Sequence, residues 1–205
     1  MPALEALLDR FYAAHTQPLG VSVDSAPCHA NWGASLGGVS FPLLADFHPK
    51  GAVADSYGVY LGDKGLADRA TIVVDAGGVV RYAKSVTPAG KRDMAELAAV
   101  CEDIDAVYGE PLPAREPGPG VGAGASLFVK SSCGFSRAAL LARDNLHLES
   151  TLPARNVTDD AGALATLREL AGKEQAPCLI RPNGEPLLES KDIIAALAVA
   201  AAPIE

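Results

Sequence analysis

Residues 126–136 read SLFVKSSCGFS, and this stretch indicates the architecture of the C-terminal part of the chain. The apolar run over 126–129 is typical of a buried strand, and the Ala/Leu-rich segment that begins at Arg137 is typical of a helix. The tetrad at 133–136 therefore lies at a sharp turn between them. This places Cys133 in the first turn of a helix, where free backbone N–H groups and the helix dipole stabilise a thiolate. Because the thiolate is the reactive form of cysteine, the stretch predicts a nucleophile at Cys133.

The residues that follow continue the alternation of strands and helices. We predict a strand near 152–157, a helix over about 160–171, a hairpin of 178–181 and 186–188 that turns at Asn183-Gly184, and a last helix from about Ser190. Thr158 to Asp160 supply candidates for the N-cap of the second helix. This order, βαβ followed by ββα, is typical of a thioredoxin-type module.

Residues 111–124, PLPAREPGPGVGAG, mark a domain boundary, because so much Pro and Gly disfavours a helix or a central strand. Upstream of them, the pattern predicts helices over 4–12, from Pro27 and over 94–104, a strand over 19–23, and a hairpin of 70–75 and 79–82. We therefore expect an α/β chain with a domain over 1–110, a linker over 111–124 and a domain over 125–205.

Composition excludes several classes of function. The chain has 205 residues and a net charge of −8, without the clusters of Lys and Arg that a nucleic-acid surface needs. It begins without a basic stretch or an apolar signal segment, and the apolar run 193–202 is too short to span a bilayer. We expect a cytoplasmic protein that binds neither nucleic acid nor a membrane. In a cytosolic protein the four cysteines are expected to be reactive or buried thiols rather than a disulfide framework, and their spacing fits no zinc pattern, so no metal is expected.

Residues 125–205 resemble a glutaredoxin, or the similar N-terminal domain of glutathione transferases. Three motifs in the right order carry the resemblance: CGFS at 133–136, QAP at 175–177, and NGEPLLESKDII at 183–194. The resemblance implies glutathione as co-substrate and Cys133 as the nucleophile. It also implies a cis peptide bond before Pro177. The glutathione-binding residues that it implies are Lys130, Phe135, Ala176, Pro177, Glu189 and Ser190.

The motif also limits the chemistry. Ser136 cannot close a disulfide with Cys133, so the implied cycle runs through a mixed disulfide with glutathione. An iron–sulfur cluster is not expected, since the chain lacks the Trp-Pro loop and Gly-Gly pair of the cluster-binding glutaredoxins. Cys178 follows the implied cis-proline and has two interpretations: a resolving thiol near Cys133, or a buried strand thiol.

Residues 1–108 resemble the later two-thirds of a peroxiredoxin of the AhpC/TSA family. The matching stretches are LGVSVDS at 19–25, FPLLAD at 41–46, YGVY at 57–60 and RATIVVD at 69–75. The resemblance implies that Arg69 helps to hold the attacking thiolate and the peroxide oxygen, since a guanidinium stays charged and donates fixed hydrogen bonds. It implies that the N-terminal module is a thioredoxin fold as well, truncated at its N-terminus.

The family's attacking residue lies in a P-x-x-x-[ST]-x-x-C motif that this chain lacks. Three explanations stay open: a fragment that starts at an internal Met, a lost selenocysteine codon, or a complete chain with a degenerate scaffold. Cys28 begins a helix beside His29, and it is either a resolving thiol or a bystander. Cys101 lies on an apolar helical stripe and is expected in the core.

Together the two resemblances imply a thiol-dependent redox enzyme, a peroxiredoxin–glutaredoxin fusion. Glutathione-linked exchange at Cys133 would support peroxide reduction by the incomplete first module, with peroxides or mixed disulfides as substrates. The alternative is a non-catalytic glutathione-binding or dimerisation protein with a degenerate scaffold. Some self-association is expected in either case.

Overall fold

The computed structural model describes residues 1–87, 89–113 and 118–201 of a mixed α/β chain. The chain divides into two compact units. One comprises Met1–His29 with Phe41–Arg115, and the other comprises Ala30–Ser40 with Glu116–Glu205. Four residues of the linker expected over 111–124, namely 114–117, lie outside the described residues.

The first unit contains short helices and strands followed by one long helix. In chain order its elements are α1 (Pro2–Glu5), α2 (Leu8–Ala13), β1 (Gly20–Ser22), α3 (Ala26–Ser35, shared with the second unit), β2 (Leu43–Ala45), α4 (Ala52–Ser56), β3 (Tyr60–Leu61), β4 (Leu66–Ala67), β5 (Ala70–Val74), β6 (Val80–Ser85) and α5 (Met94–Tyr108). The hairpin predicted over 70–75 and 79–82 is confirmed as β5 and β6, and the closing helix is confirmed as α5.

The described strands of the first unit form three two-stranded sheets. β1 runs parallel to β2, β3 pairs antiparallel with β4, and β5 pairs antiparallel with β6. The core of this unit lies between α2 and α5 and contains Phe11, Ala14, Ala98 and Cys101. The single helix expected over 4–12 is instead two helices, because Leu7 leaves helical geometry with φ −118° and ψ 11°. Leu4 and Leu7 still pack against this core.

The second unit contains one four-stranded sheet. Its elements are β7 (Ser126–Val129), α6 (Gly134–Asn145), β8 (Ala154–Asn156), α7 (Ala161–Ala171), β9 (Cys178–Ile180), β10 (Pro186–Leu187) and α8 (Ser190–Ala201). All seven were expected from the sequence, in this order. The sheet order is β10-β9-β7-β8, with β7 parallel to β8 and antiparallel to β9.

Helices cover both faces of this sheet, which explains why β7 is a continuous apolar run. Side chains alternate between the faces of a strand, so Leu127 and Val129 lie on one side and Phe128 on the other. Leu127 and Val129 pack with residues of α6 and α8 that include Ala139 and Leu197. Phe128 packs on the opposite face with residues of α7 and β9, among them Ala163, Leu167 and Cys178.

A stretch from the N-terminal half of the chain completes the second unit. The Asn145 side chain, at the end of α6, donates to Ala30 O at 2.9 Å and accepts from Val39 N at 3.2 Å. Arg137 on the same helix donates to Asn31 Oδ1 at 2.7 Å. These bonds join residues more than a hundred positions apart in the chain, so no local sequence pattern indicates them.

Within the described part of the chain, no helix is both long and apolar enough to cross a bilayer.

Candidate functional site

The backbone around Cys133 positions its thiol at the start of a helix. β7 ends at Val129, and residues 130–132 form a short loop in which Ser132 has a positive φ of 54°. Cys133 is the N-cap residue of α6, with an extended backbone of φ −110° and ψ 116°. Its side chain is half-buried. The location predicted from the sequence is therefore confirmed: the sulfur lies beside the free N–H groups of the first turn.

These N–H groups favour the ionised sulfur. The pKa of the Cys133 thiol lies below its ordinary value, first because the backbone N–H of Ser136 donates to it, and second because the Ser136 hydroxyl does so. Burial opposes this lowering, and the Phe135 N–H and the charge of Lys130 lower the pKa further. Hydrogen bonds to the charged form thus dominate over desolvation. The thiolate is present at a lower pH than in an ordinary cysteine.

Ser136 is a further residue of the candidate site, and the sequence did not indicate its contact with Cys133. Its side chain is fully buried, and its Oγ accepts a hydrogen bond from Lys130 N at 3.0 Å. The same hydroxyl donates to Cys133, so one serine holds both the sulfur and the loop before it. The position of Ser136 in the sequence could have indicated this contact, because a residue three places after an N-cap faces back towards that cap.

We expect Ser136→Ala to raise the pKa of Cys133, because the thiolate loses one of its two largest stabilising contacts. A rise of up to about one unit corresponds to about 1.4 kcal/mol of lost interaction. The pH dependence of Cys133 alkylation by iodoacetamide measures this pKa. The matched control is Ser56→Ala, since the exposed Ser56 hydroxyl donates to Val53 O in the first unit. An unchanged alkylation midpoint in Ser136→Ala would contradict the role assigned to this hydroxyl.

The residues implied to bind glutathione all lie in the second unit. Lys130 is exposed, and the Phe135 ring, beside Cys133 in the chain, is 70% exposed. The Ala176–Pro177 peptide bond is cis, as predicted, and Ser190 begins α8. Gln175 Nε2 donates to Glu189 Oε1 at 2.9 Å, which ties the segment before Pro177 to the segment before α8. The structure thus joins two of the three motifs through a contact that the sequence did not indicate.

Cys178 is a buried strand thiol, which is the second of the two interpretations that the sequence left open. Its side chain is fully buried against Phe128 and Leu167, and burial raises the pKa of its thiol to about 11. A thiol with this pKa is protonated at neutral pH and is a poor nucleophile. Cys101 lies in the core of the first unit as expected, and burial raises its pKa as well.

Arg69, in the first unit, directly precedes β5 and is exposed. A second arginine, Arg92, lies close enough for the charge of Arg69 to affect it. The pKa of Arg92 is lowered first by desolvation and second by the charge of Arg69. Arg92 Nη2 donates to Ala70 O at 2.7 Å, which holds its guanidinium beside the start of β5. Sequence reasoning missed Arg92, because a Lys-Arg-Asp run before a helix is typical of a solvated surface.

Cys28 is the third residue of α3 and is exposed. Its Sγ donates to Asp24 Oδ1 at 3.9 Å. The ring of His29 is buried and bonds instead to Ser22, with 2.8 Å between Nε2 and Oγ. Ser22 Oγ in turn donates to Asp24 Oδ2 at 2.7 Å. His29 is thus part of a network with Ser22 and Asp24.

Among residues 1–87, 89–113 and 118–201, no three His, Cys, Asp or Glu side chains converge in a way that could hold a metal ion.

Comparison with known proteins concerns mainly the N-terminal half. Residues 1–83 match the AhpC/TSA family. The chain is 42% identical over 86 residues to alkyl hydroperoxide reductase E of Mycobacterium tuberculosis, covering 42% of this chain and 56% of that protein. It is 31% identical over 122 residues to a mitochondrial thioredoxin-dependent peroxide reductase of Drosophila melanogaster, covering 55% of this chain and 51% of that protein.

Solved structures with a partial likeness include Mycobacterium tuberculosis AhpC, with 31% identity and a TM-score of 0.47 over 53% of this chain and 60% of that one. Another is the mitochondrial 2-Cys peroxiredoxin from Plasmodium falciparum, with 27% identity and a TM-score of 0.45 over 54% of this chain and 70% of that one. The chain spans about half the length of the curated relatives that it matches. Its first 83 residues are thus similar to an AhpC/TSA peroxiredoxin domain.

Proposed function

We propose that this protein is a thiol-dependent redox enzyme in which Cys133 performs glutathione-linked thiol–disulfide exchange. The observation that carries the proposal is the placement of the sulfur as N-cap of α6, with a pKa lowered by the backbone and hydroxyl of Ser136. A cysteine that is half-exposed and has a lowered thiol pKa has the two properties that exchange requires. Of the described cysteines, Cys101 and Cys178 have neither property.

The proposed cycle has two balanced steps. The Cys133 thiolate attacks the glutathionyl sulfur of a mixed disulfide, which forms a bond between Cys133 and glutathione and releases the other thiol as a thiolate. A glutathione thiolate then attacks the glutathionyl sulfur bound to Cys133, which forms oxidised glutathione and regenerates the Cys133 thiolate. Both steps are exchanges of one S–S bond for another, so the only reductant needed is glutathione.

The proposal extends to a glutaredoxin-like fold for the second unit. Its support is the element order βαβαββα, the sheet order β10-β9-β7-β8, and the cis bond before Pro177 in the chain order that the motifs imply. We propose residues 125–205 as this domain and 111–124 as the tether to the peroxiredoxin domain. A short tether of this kind would keep the two domains at an effective concentration of roughly millimolar.

Peroxide reduction is the proposed contribution of the first unit. Support comes from the AhpC/TSA match of residues 1–83 and from relatives that are named as peroxide reductases. The attacking cysteine of the family's motif is not among the residues of this sequence; where it is present, peroxide would oxidise it to a sulfenic acid, which would condense with glutathione, releasing water and leaving a mixed disulfide. Cys133 would then reduce that mixed disulfide by the cycle above. Arg69, with Arg92 beside it, is the proposed site of peroxide binding.

Mass spectrometry of the protein after incubation with oxidised glutathione tests the central proposal. We expect one glutathionyl adduct, located at Cys133 by peptide mapping. Its formation is expected to be half-maximal at a pH below the ordinary thiol pKa of about 8.5, since the rate follows the thiolate fraction. An adduct on Cys28 alone, or slow and uniform labelling of the exposed thiols, would favour the non-catalytic alternative instead.

A further inference from the structure

The loop that ends at Cys133 lies next to the loop that follows the neighbouring strand. β7 and β8 are parallel, so their carboxyl ends meet at one edge of the sheet. Asn156 is the last residue of β8 and is opposite Val129, the last residue of β7. Its side chain is half-buried at this edge, where residues 130–132 lead to the nucleophile.

The nitrogen and the oxygen of the Asn156 side-chain amide both form hydrogen bonds between or within these two loops. Its Nδ2 donates to Ser131 Oγ at 2.7 Å and to Asp159 Oδ2 at 2.6 Å, and its Oδ1 accepts from Thr158 N at 3.0 Å. Ser131 adds two further bonds across the gap: its Oγ donates to Asp159 Oδ2 at 3.0 Å, and its N donates to Thr158 Oγ1 at 3.1 Å. We refer to Ser131, Asn156, Thr158 and Asp159 as the Asn156 network.

The network holds the Cys133 loop on one side, and α6 holds it on the other. Ser131 is bonded to the loop after β8, whereas Lys130 N is bonded to the buried Ser136 of α6. Between these anchors and Cys133 lies Ser132, whose φ of 54° is uncommon for a residue other than glycine. A loop in this conformation needs surrounding contacts to persist.

We propose that Asn156 is a positioning residue for Cys133, because its amide clamps the loop over 130–132 so that the sulfur stays at the first turn of α6. This inference rests on the proposed exchange at Cys133. The groups that stabilise the thiolate are the N–H groups and hydroxyl of α6, so the network acts by keeping the sulfur within their reach. Asn156 itself has no assigned contact with glutathione or with the reacting sulfur.

The test is the pH dependence of Cys133 alkylation by iodoacetamide in Asn156→Ala. We expect the midpoint to rise by about half a unit or more, because the sulfur moves away from the donors that favour its charge. The rate at pH 7 then falls by about threefold, and the difference from wild type disappears above the higher midpoint. A merely structural loss would lower the amount of folded protein at every pH. Ser131→Ala removes one partner of the same network and is expected to shift the midpoint in the same direction.

The matched control is Asp160→Ala. Asp160 adjoins the network in sequence, but its carboxylate caps α7 by accepting from Gly162 N at 2.8 Å and Ala163 N at 3.0 Å. We expect Asp160→Ala to lower the thermal stability and leave the Cys133 midpoint unchanged. The inference is overturned if Asn156→Ala and Ser131→Ala keep the wild-type midpoint, or if Asp160→Ala shifts it equally.

Different results would contradict the proposed function of Cys133 and the positioning role of Asn156. If wild-type Cys133 titrates at the ordinary value and takes no glutathionyl adduct, the proposed function fails. If wild type behaves as proposed and the Asn156→Ala midpoint is unchanged, only the positioning role fails. If circular dichroism shows that Asn156→Ala is unfolded, the midpoint of Ser131→Ala alone decides whether the network positions Cys133. The exposed Ser131 hydroxyl can be removed at little cost to the fold.

Discussion

Cys133→Ala abolishes glutathione-dependent reduction of a mixed disulfide, which is the largest effect on activity that we expect. The substitution removes the attacking atom, and loss of a covalent nucleophile typically costs on the order of a thousandfold or more in rate. The measurement is the rate of oxidised glutathione formation from glutathione and a small mixed disulfide, coupled to a reductase. Because the thiolate is the reactive form, the wild-type rate should rise with pH up to the lowered pKa of Cys133 and then level off.

The matched control is Cys101→Ala, which removes a sulfur from the core of the first unit. Its pKa is raised by burial, so it has no part in exchange near neutral pH. We expect it to keep the exchange rate per folded molecule. Equal loss of activity in both variants, or full activity in Cys133→Ala, would refute the assignment of the nucleophile.

Phe128→Ala causes the largest loss of stability that we expect. The ring is fully buried in the centre of β7, packs against Leu167 and Cys178, and lies 5.3 Å from the Arg155 guanidinium. Truncating a buried phenylalanine typically costs about 3–5 kcal/mol in the free energy of unfolding, because apolar burial is lost and a cavity remains. Since native stability is only about 5–15 kcal/mol, the second unit would be marginal or unfolded.

Amide hydrogen exchange of the β7 and β9 backbone measures this effect directly and separates it from unfolding of the first unit. Phe47→Ala is the matched control, because Phe47 is 59% exposed and the same atoms are removed. We expect the protection of β7 to fall strongly in Phe128→Ala and to remain in Phe47→Ala. Similar protection in the two variants would show that the second core does not depend on this ring.

The second unit was the more predictable half of the chain because its signals are local. Burial on both faces explains its continuous apolar β7, Asp160 caps α7 as one of the expected candidates, and Gly184 supplies the positive φ of the β9–β10 turn. Each of these depends on a few adjacent residues. The first unit was harder, because β2, α4 and the β3–β4 pair are short and lack a clear period. Such elements depend on tertiary contacts rather than on propensity.

The candidate site also contains one part that the local sequence predicts and another part that it does not. Cys133 and its place at a helix start could be predicted from the strand, turn and helix pattern around it. The role of Asn156 could not, since it depends on which side chains the fold brings to the loop from 130 to 132, whereas the position of Ser136 three places after the N-cap is a local signal. Whether Cys178 is a resolving thiol or a buried strand thiol could be decided only from the residues around it. A thiol that follows a cis-proline can point either towards the candidate site or into the hydrophobic core.

By itself, the sequence predicted the order of the elements in the second unit, the place of Cys133 at a helix start, and the resemblance of the N-terminal part to AhpC/TSA peroxiredoxins, which the family match over residues 1–83 supports. Tertiary structure alone decided between the two interpretations of Cys178. Folding buries Cys101 and Cys178 and raises the pKa of both, whereas it leaves Cys133 half-exposed beside the donors of α6. The physical reason is that the charge of a thiolate depends on solvent and on donors within a few ångströms. The donors to Cys133 are its neighbours in the chain, whereas Phe128 and Leu167, which bury Cys178, are distant from it in the chain.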